Sequence, residues 1–147
     1  SQYKQIHWCV ASSTRPPYLA ESFDAIMSVF SRVDSSAFHS VLKPDGLVCM
    51  VTPDHDHLMA LREQIYETVR PYDIDKHRHY FDDRFVLESE SRLEFELQLT
   101  DNQSILDLLG MTPHAHRLPT ATREKLSKLN ELADKACFKI YWFRKTP

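Results

Sequence analysis

The stretch Glu21 to Pro53, ESFDAIMSVFSRVDSSAFHSVLKPDGLVCMVTP, decides the fold. Two short apolar runs within it, Phe23–Phe30 and Leu47–Thr52, predict strands that are apolar on both faces. The residues between them have a helical pattern, so the stretch reads as strand, helix and strand. Strands of this kind belong in a parallel sheet that helices cover, and we therefore expect a βαβ unit.

The connection between the two runs carries start and stop signals for a helix. Ser35 or Ser36 is a candidate N-cap, because a hydroxyl oxygen can accept a hydrogen bond from a free backbone N–H. The Pro44–Gly46 tripeptide, PDG, predicts the end of the helix and a tight turn. The apolar residues expected on one face of the helix are Phe38, Val41 and Leu42.

Three further segments have the pattern of strands. Gln5–Ala11 alternates apolar and polar side chains and predicts a strand. Ser91–Thr100 alternates strictly, which is typical of an edge strand with one wet face, and Asp82–Glu90 before it is ambiguous. Ala136–Arg144 carries large apolar side chains on both faces, so we expect it at the centre of the sheet. The side chains expected on the buried face of Ser91–Thr100 are Leu93, Phe95, Leu97 and Leu99.

Three more helices are predicted. The first would be capped by Asp54 or Asp56 and run to about Arg70, before Pro71. The second would be capped by Asp101 and closed by Gly110. The third would begin at Thr120. Helical spacing relates Leu58, Leu61, Ile65 and Val69 in the first, Ile105, Leu108 and Leu109 in the second, and Leu126, Leu129 and Leu132 in the third.

Composition limits the class of protein. The 147 residues suit one domain, and we expect 1–147 to form a single α/β domain. The net charge of −3 gives no overall basic field, and no apolar run approaches the length of a membrane span. The three cysteines have no paired spacing and sit in predicted strands, which favours reduced thiols in a cytoplasmic protein.

Glycine is scarce, since Gly46 and Gly110 are the whole count. Dinucleotide and S-adenosylmethionine sites need glycines in the first strand-to-helix turn, where backbone must approach the ligand closely. The sequence has no such loop. Either the fold does not bind a nucleotide, or the part of the protein with that loop lies outside the sequence.

Several motifs resemble known families. FDAI…VLKPDG (residues 23–46) resembles the fourth strand, helix and fifth strand of Rossmann-like S-adenosylmethionine methyltransferases. Three other segments are similar, in the right order, to bacterial 23S rRNA guanine-N1 methyltransferases. These are WCVASSTRPPY (8–18), TPDHDHLMALREQIYE (52–67) and LLGMTPHAHR (108–117).

The resemblance implies a fold and an activity. It implies part of a Rossmann-like sheet, the third to seventh strands, with helices on both faces and an antiparallel last strand between the fifth and sixth. The activity would be methyl transfer from S-adenosylmethionine to N1 of a guanine in 23S rRNA. Members of the family begin with a zinc-binding Cys/His module and a glycine-rich loop. The chain thus resembles the C-terminal portion, which we expect to be inactive alone.

The resemblance also implies cofactor-binding residues. His57 matches a histidine that contacts the cofactor, Ala11 and Ser12 end the third strand near the adenine, and Ser28 lies near the end of the fourth strand. Without the resemblance, the sequence favours a solvated residue in the first turn of a helix for His57 and strand-ending residues for Ala11 and Ser12; Ser28 can also be a polar residue at a strand end. Surface arginines that could hold RNA phosphate, or be merely solvated, are Arg15, Arg32 and Arg117. The base that accepts the guanine N1 proton is not identified.

Two other functions compete with the enzyme. A non-catalytic α/β association module would use the exposed sheet edge. We would then expect a homodimer, or a rearrangement in which Gln5–Ala11 pairs directly with the fourth strand, Phe23–Phe30. A histidine-rich metal hydrolase is the third possibility. We expect no metal site, because adjacent residues at a helix start point in different directions. The candidate metal ligands are Asp54, His55, Asp56, His57, His77, His79, His114 and His116.

Overall fold

The computed structural model describes residues 5–73 and 79–147, apart from the side chain of Arg117. The chain divides into two compact units. The first comprises the described parts of Ser1–Val51, Asp75–Glu90 and Ile140–Pro147, and the second those of Thr52–Ile74 and Ser91–Lys139. None of the described helices has the length and hydropathy that a membrane span requires.

The described residues form four strands, four α-helices and one 3-10 helix. In chain order they are β1 (Phe23–Val29), α1 (Ser35–Val41), β2 (Leu42–Pro53), α2 (Met59–Ile65), β3 (Phe85–Leu99), α3 (Asn102–Gly110), the 3-10 helix (Pro113–Arg117), α4 (Thr120–Leu126) and β4 (Leu132–Lys145). Helices this short are marginal in isolation, so tertiary packing must stabilise them.

The four strands make one mixed sheet in the order β1-β2-β4-β3. β1 and β2 are parallel, with Ile26 opposite Val48 and Val29 opposite Val51. β4 is antiparallel to β2: the Lys145 ammonium binds the Leu42 carbonyl at one end, and Asp54 N–H donates to the Cys137 carbonyl at the other. The predicted βαβ unit, the central last strand and the edge position of β3 are confirmed.

The predicted turn at Pro44–Gly46 lies inside β2 as an irregularity. Phe23 pairs with Leu42 and Ala25 pairs with Leu47, so the β2 side carries extra residues between two neighbouring pairs. Asp45 has a φ of 60°, a left-handed conformation that Asp tolerates. A side chain on Gly46 would place Cβ only 2.9 Å from the Lys43 carbonyl oxygen, so this residue must be small.

Each unit has its own hydrophobic core. In the first, Phe81 stacks on Phe143 at a ring distance of 4.0 Å. The buried residues of this core are Val33, Leu42, Val48, Met50, Phe85, Tyr141 and Phe143. In the second, helices α2, α3 and α4 supply most of the core, which consists of Leu58, Leu61, Ile105, Leu109, Leu126 and Leu132. Leu61, Ile105 and Leu126 are fully buried. Burying each of these side chains stabilises the folded state by about 1.5–3 kcal/mol relative to leaving it exposed.

The N-terminal prediction was wrong. Gln5–Ala11 has no strand structure, and its side chains are exposed, including Trp8 at 73%. Within the described residues, no strand pairs with the outer edge of β1. Alternation of apolar and polar residues permits a strand, but the backbone needs a neighbouring strand for its hydrogen bonds.

Other differences concern the ends of elements. Asp34, not Ser35 or Ser36, caps α1 by accepting from Ala37 N–H. Gly110 is the last residue of α3 and has no positive φ, so it does not close the helix in a left-handed conformation. The ambiguous segment before Ser91 belongs to β3 from Phe85 onward. The predicted cap of α3 by Asp101 is confirmed.

Exposure of the strands also departs from the predictions. Leu93 and Phe95 of β3 are 48% and 47% exposed, whereas Leu97 and Leu99 pack against the core of the second unit. In β1, Met27 is 72% exposed, so the prediction that helices cover both faces of this strand was wrong. Leu132, assigned to the last helix by its spacing, begins β4 instead.

Helix α2 is shorter than predicted, and its cap comes from a distant strand. It follows Leu58, which has a left-handed φ of 50° and makes no capping bond through its side chain. The carboxylate of Asp134 in β4 accepts from Ala60 N–H at 3.2 Å and from Leu61 N–H at 2.8 Å. Asp134 is 8% exposed, so few water molecules could replace it.

Replacing Asp134 with Ala should therefore lower the free energy of unfolding by about 1–3 kcal/mol, because two backbone donors lose a buried acceptor. Asp134→Asn keeps one oxygen and should cost less. Urea denaturation measures both. The exposed neighbour Glu131 provides the control, Glu131→Ala, expected to stay within about 0.5 kcal/mol. Equal denaturation midpoints for Asp134→Ala and the control would show that the cap contributes nothing.

Candidate functional site

The turn after β2 holds a fully buried carboxylate, Asp54. Asp54 accepts from the backbone and ring nitrogens of His55 at 2.7 and 2.9 Å, and from Arg92 Nη1 at 2.6 Å. Burial acts to raise the Asp54 pKa, but the hydrogen bonds from His55 and the charge of Arg92 outweigh it and lower the pKa. Asp54 is thus held as an anion within the second unit.

Arg92 joins three acids into one network. Its Nη2 lies 2.8 Å from Asp56 and 2.6 Å from Glu94, while Nη1 binds Asp54. These hydrogen bonds, led by that of Asp56, raise the pKa of Arg92. Glu94 also pairs with Lys135 at 3.2 Å. The network joins the β2 turn, β3 and β4 in the second unit.

Two sets of these side chains are close enough to hold a cation. Among the described residues, Asp54, His55 and Asp56 form one set, and Asp56, Glu94 and Cys137 form the other. Arg92 and Lys135 already bind their carboxylates, so the arrangement is that of an ion-pair network. Neither set contains His79, His114 or His116. His77 lies outside the described residues.

His57 is half-buried and held by β4. Its Nδ1 accepts from Cys137 N–H at 3.1 Å, and its ring packs against Phe138 at 4.9 Å. An imidazole that accepts at Nδ1 carries its proton on Nε2. Burial lowers the pKa of His57, and the charge of Arg62 also lowers it. The charges of Asp134 and Asp56 act to raise this pKa but do not outweigh burial. Neutral His57 is the form that fits this site.

The other three predicted cofactor residues lie in the first unit. Ser28 is the last but one residue of β1 and is 4% exposed, and its Oγ has no hydrogen-bond partner among the described residues. Ala11 and Ser12 are exposed, and Ser12 Oγ bonds to Thr14 Oγ1 at 2.8 Å. Because Gln5–Ala11 is not a strand, their expected position at a strand end is wrong.

The sequence also failed to predict a pocket in the second unit. It has a volume of about 370 Å³ and is lined by Arg62, Tyr66, Thr68, Arg70, Tyr72 and His114. His114 was considered only as a metal ligand. No local pattern signals this pocket, because its residues come from two segments more than forty positions apart.

Acid should destabilise the protein through His57. The pKa of His57 lies below its ordinary 6.5 when folded, so the unfolded chain binds the proton first as the pH falls. Stability should therefore be full above pH 6.5 and decline below it. An asparagine side chain can accept from Cys137 N–H without titrating, so His57→Asn should flatten the decline in the thermal unfolding midpoint between pH 8 and pH 5.

The flattening should be partial, because burial also lowers the pKa of His114. His116→Asn is the control, since His116 is exposed, and it should leave the decline as in the wild type. An identical pH dependence in His57→Asn and the wild type would contradict the assignment of His57 as a neutral acceptor.

Comparison with known proteins gives two relatives that bear the same name. The chain is 32% identical over 132 residues to "Putative 23S rRNA (guanine-N(1)-)-methyltransferase YxjB" of Bacillus subtilis (strain 168), covering 88% of the chain and 45% of that protein. It is 29% identical over 119 residues to "Putative 23S rRNA (guanine-N(1)-)-methyltransferase" of Micromonospora griseorubida, covering 80% and 40%. The chain thus spans less than half the length of these relatives. The sequence matches no protein-family model.

Solved structures share the fold at low sequence identity. A "putative methyltransferase" from Bacillus halodurans has a TM-score of 0.60 at 13% identity, covering 99% of the chain and 74% of that structure. YcgJ from Bacillus subtilis has a TM-score of 0.57 at 14% identity, with 93% and 70% coverage. The [4+2]-cyclase SpnF has a TM-score of 0.50 at 13% identity, with 94% and 56% coverage.

At these identities the solved structures show the fold alone, and homology is shown by the sequence relatives. The chain is a homologue of proteins that bear the name "Putative 23S rRNA (guanine-N(1)-)-methyltransferase", and it has the Rossmann-like fold of methyltransferase structures.

Proposed function

We propose that the chain is part of a cytoplasmic methyltransferase that transfers a methyl group from S-adenosylmethionine to N1 of a guanine in 23S rRNA. The observation that carries the proposal is the 32% identity to YxjB over 88% of the chain. The Rossmann-like sheet, with parallel β1 and β2 and a central antiparallel β4, supports it.

The reaction asks little of the protein's side chains. S-adenosylmethionine supplies an activated methyl group when it is bound, so the protein mainly positions the acceptor nitrogen. Ser28 in the first unit is the last but one residue of β1, and open α/β sheets bind ligands at the carboxyl ends of their strands. The assignment of His57, in the second unit, as a cofactor contact rests on the sequence resemblance. Ala11 and Ser12 would contact the adenine, an assignment that rests on the sequence resemblance alone.

The described residues fit only part of a cofactor site. Ser28 Oγ is a buried hydroxyl without a partner among them, which leaves it available for a ligand or a water molecule after a local shift. Neither Gly46 nor Gly110 has a positive φ or lies in a strand-to-helix turn that could hold the cofactor. We therefore expect cofactor binding to need the glycine-rich loop of the resembled family, which this sequence lacks. Zinc would be held only by that family's N-terminal Cys/His module.

The full-length protein should methylate 23S rRNA that has been transcribed without modification. Nucleoside mass spectrometry should detect 1-methylguanosine only when S-adenosylmethionine is present. Reverse transcription should stop at the modified base, because N1 lies on the Watson–Crick edge. Calorimetry should show cofactor binding by the full-length protein and none by the 147-residue chain. Absence of cofactor binding and of methyl transfer in the full-length protein would end the proposal.

The open edge of β1 favours a second candidate, a non-catalytic association module that forms a homodimer. Within the described residues, β1 has a neighbour on one side only. Its side chains Met27 and Val29 are 72% and 49% exposed. A strand edge with exposed apolar side chains invites pairing with another strand.

Edge pairing predicts that the 147-residue chain dimerises with increasing concentration in sedimentation equilibrium. Met27→Lys should shift the chain to monomer, because a charge on an edge strand opposes pairing. Met111→Lys is the matched control, since Met111 is 84% exposed and lies outside β1, and it should leave the dimer intact. A chain that is monomeric at all concentrations would remove this candidate.

A further inference from the structure

The pocket lined by Arg62, Tyr66, Thr68, Arg70, Tyr72 and His114 has no role in the function proposed above. All six residues belong to the second unit. Its volume of about 370 Å³ is in the range of small-molecule pockets. Two of its residues are arginines and none is an acid, so its charge favours an anion.

Arg62 is the unusual group in this pocket. It is 4% exposed, yet its partners among the described residues are carbonyl oxygens and an aromatic ring. Nη1 donates to the carbonyl oxygens of His55 and His57 at 3.4 and 3.3 Å, and Nη2 donates to that of Arg70. Nε is buried without a partner in the described structure. A buried cation without a carboxylate is costly, and an incoming anion would offset that cost.

The aromatic side of the pocket is fixed by hydrogen bonds. His114 Nδ1 lies 2.8 Å from the Tyr66 hydroxyl, and Nε2 lies 3.1 Å from the Tyr72 hydroxyl. A neutral imidazole donates to one hydroxyl and accepts from the other, so it orients both rings. The Arg62 guanidinium carbon lies 4.1 Å from the centre of the Tyr72 ring. The Tyr66 ring is 42% exposed and can stack on a ligand.

Arginine beside exposed aromatic rings is the composition of sites that bind unpaired nucleic acid. There, cations hold the phosphates and bases stack on the rings. An acidic peptide would satisfy the arginines but would leave the ring of Tyr66 unused. The rings therefore favour a nucleotide over a carboxylate-rich protein segment.

We propose that this pocket binds an unpaired nucleotide of RNA, with its phosphate at Arg62 and Arg70 and its base against Tyr66. Arg70 is exposed and would make the first contact, while buried Arg62 lies deeper. The inference deepens the proposed function and rests on it, because it assigns a contact with the RNA substrate. It adds two arginines to Arg15, Arg32 and Arg117, which the sequence offered as candidate phosphate contacts.

The test uses the full-length protein without cofactor and a fluorescein-labelled, unpaired RNA octanucleotide, followed by fluorescence anisotropy. Arg70→Gln should weaken binding about tenfold and reduce the slope of log K against log salt by about 0.7, the value for one single-strand phosphate. Tyr66→Leu should weaken binding about tenfold through lost stacking, while Tyr66→Phe keeps the ring and most of the affinity. Arg123→Gln, an equal charge change at an exposed residue outside the pocket, should bind as the wild type does.

Three results would overturn the inference. The first is equal affinity in Arg70→Gln, Tyr66→Leu and the Arg123→Gln control. The second is displacement of the RNA by a glutamate-rich peptide of equal charge as readily as by unlabelled RNA. The third is binding of inorganic phosphate in the pocket without any change in the affinity of the protein for RNA.

The inference and the proposed function fail in distinguishable ways. If the wild type binds RNA through this pocket but transfers no methyl group, the proposed function fails and the pocket assignment stands. If the wild type methylates 23S rRNA and the Arg70→Gln and Tyr66→Leu variants bind RNA as tightly as it does, only the pocket assignment fails.

Discussion

The central position of β4 is the constraint on which the rest of the structure depends. In the first unit, Lys145 is 7% exposed and its ammonium donates to the Leu42 carbonyl at 2.7 Å, where β2 begins. In the second unit, the carboxylate of Asp134 caps α2, and the Cys137 backbone binds both Asp54 and His57. β4 therefore contributes side chains to both cores and makes three polar contacts with other elements. It lies between β2 and β3, which provide hydrogen-bond partners for its backbone groups on both sides.

Two of the buried charges in the second unit, Asp54 and Arg62, have different kinds of partner. Asp54 receives hydrogen bonds from His55 and a charge-assisted bond from Arg92, which satisfy the carboxylate. Arg62 is bound by carbonyl oxygens and a tyrosine ring, with no carboxylate among its described partners. A buried charge is tolerated when it is paired, and an unpaired one usually has a functional reason. The partners of Asp54 satisfy its charge within the fold, whereas Arg62 is a buried charge that lines a pocket.

Fold and function are carried by different observations in this protein. The fold is shared with structures that include a [4+2]-cyclase, so it permits methyl transfer without requiring it. The proposed function rests on the relatives' names, and the matched segments span less than half of those proteins. The residues predicted to bind the cofactor also differ in how they are held: His57 is held by a hydrogen bond from β4, whereas Ala11 and Ser12 do not follow a strand.

Local patterns in the sequence determined the βαβ unit, the cap of α3 by Asp101, the edge position of β3 and the central position of β4. Each depends on periodicity or on neighbours within a few residues, and such signals are readable without a fold. Only the tertiary structure decided that Gln5–Ala11 forms no strand, that Asp134 caps α2, and that Arg62 and His114 line one pocket. Those outcomes depend on which distant backbone and side-chain groups meet, and the spacing of residues in a sequence does not encode that.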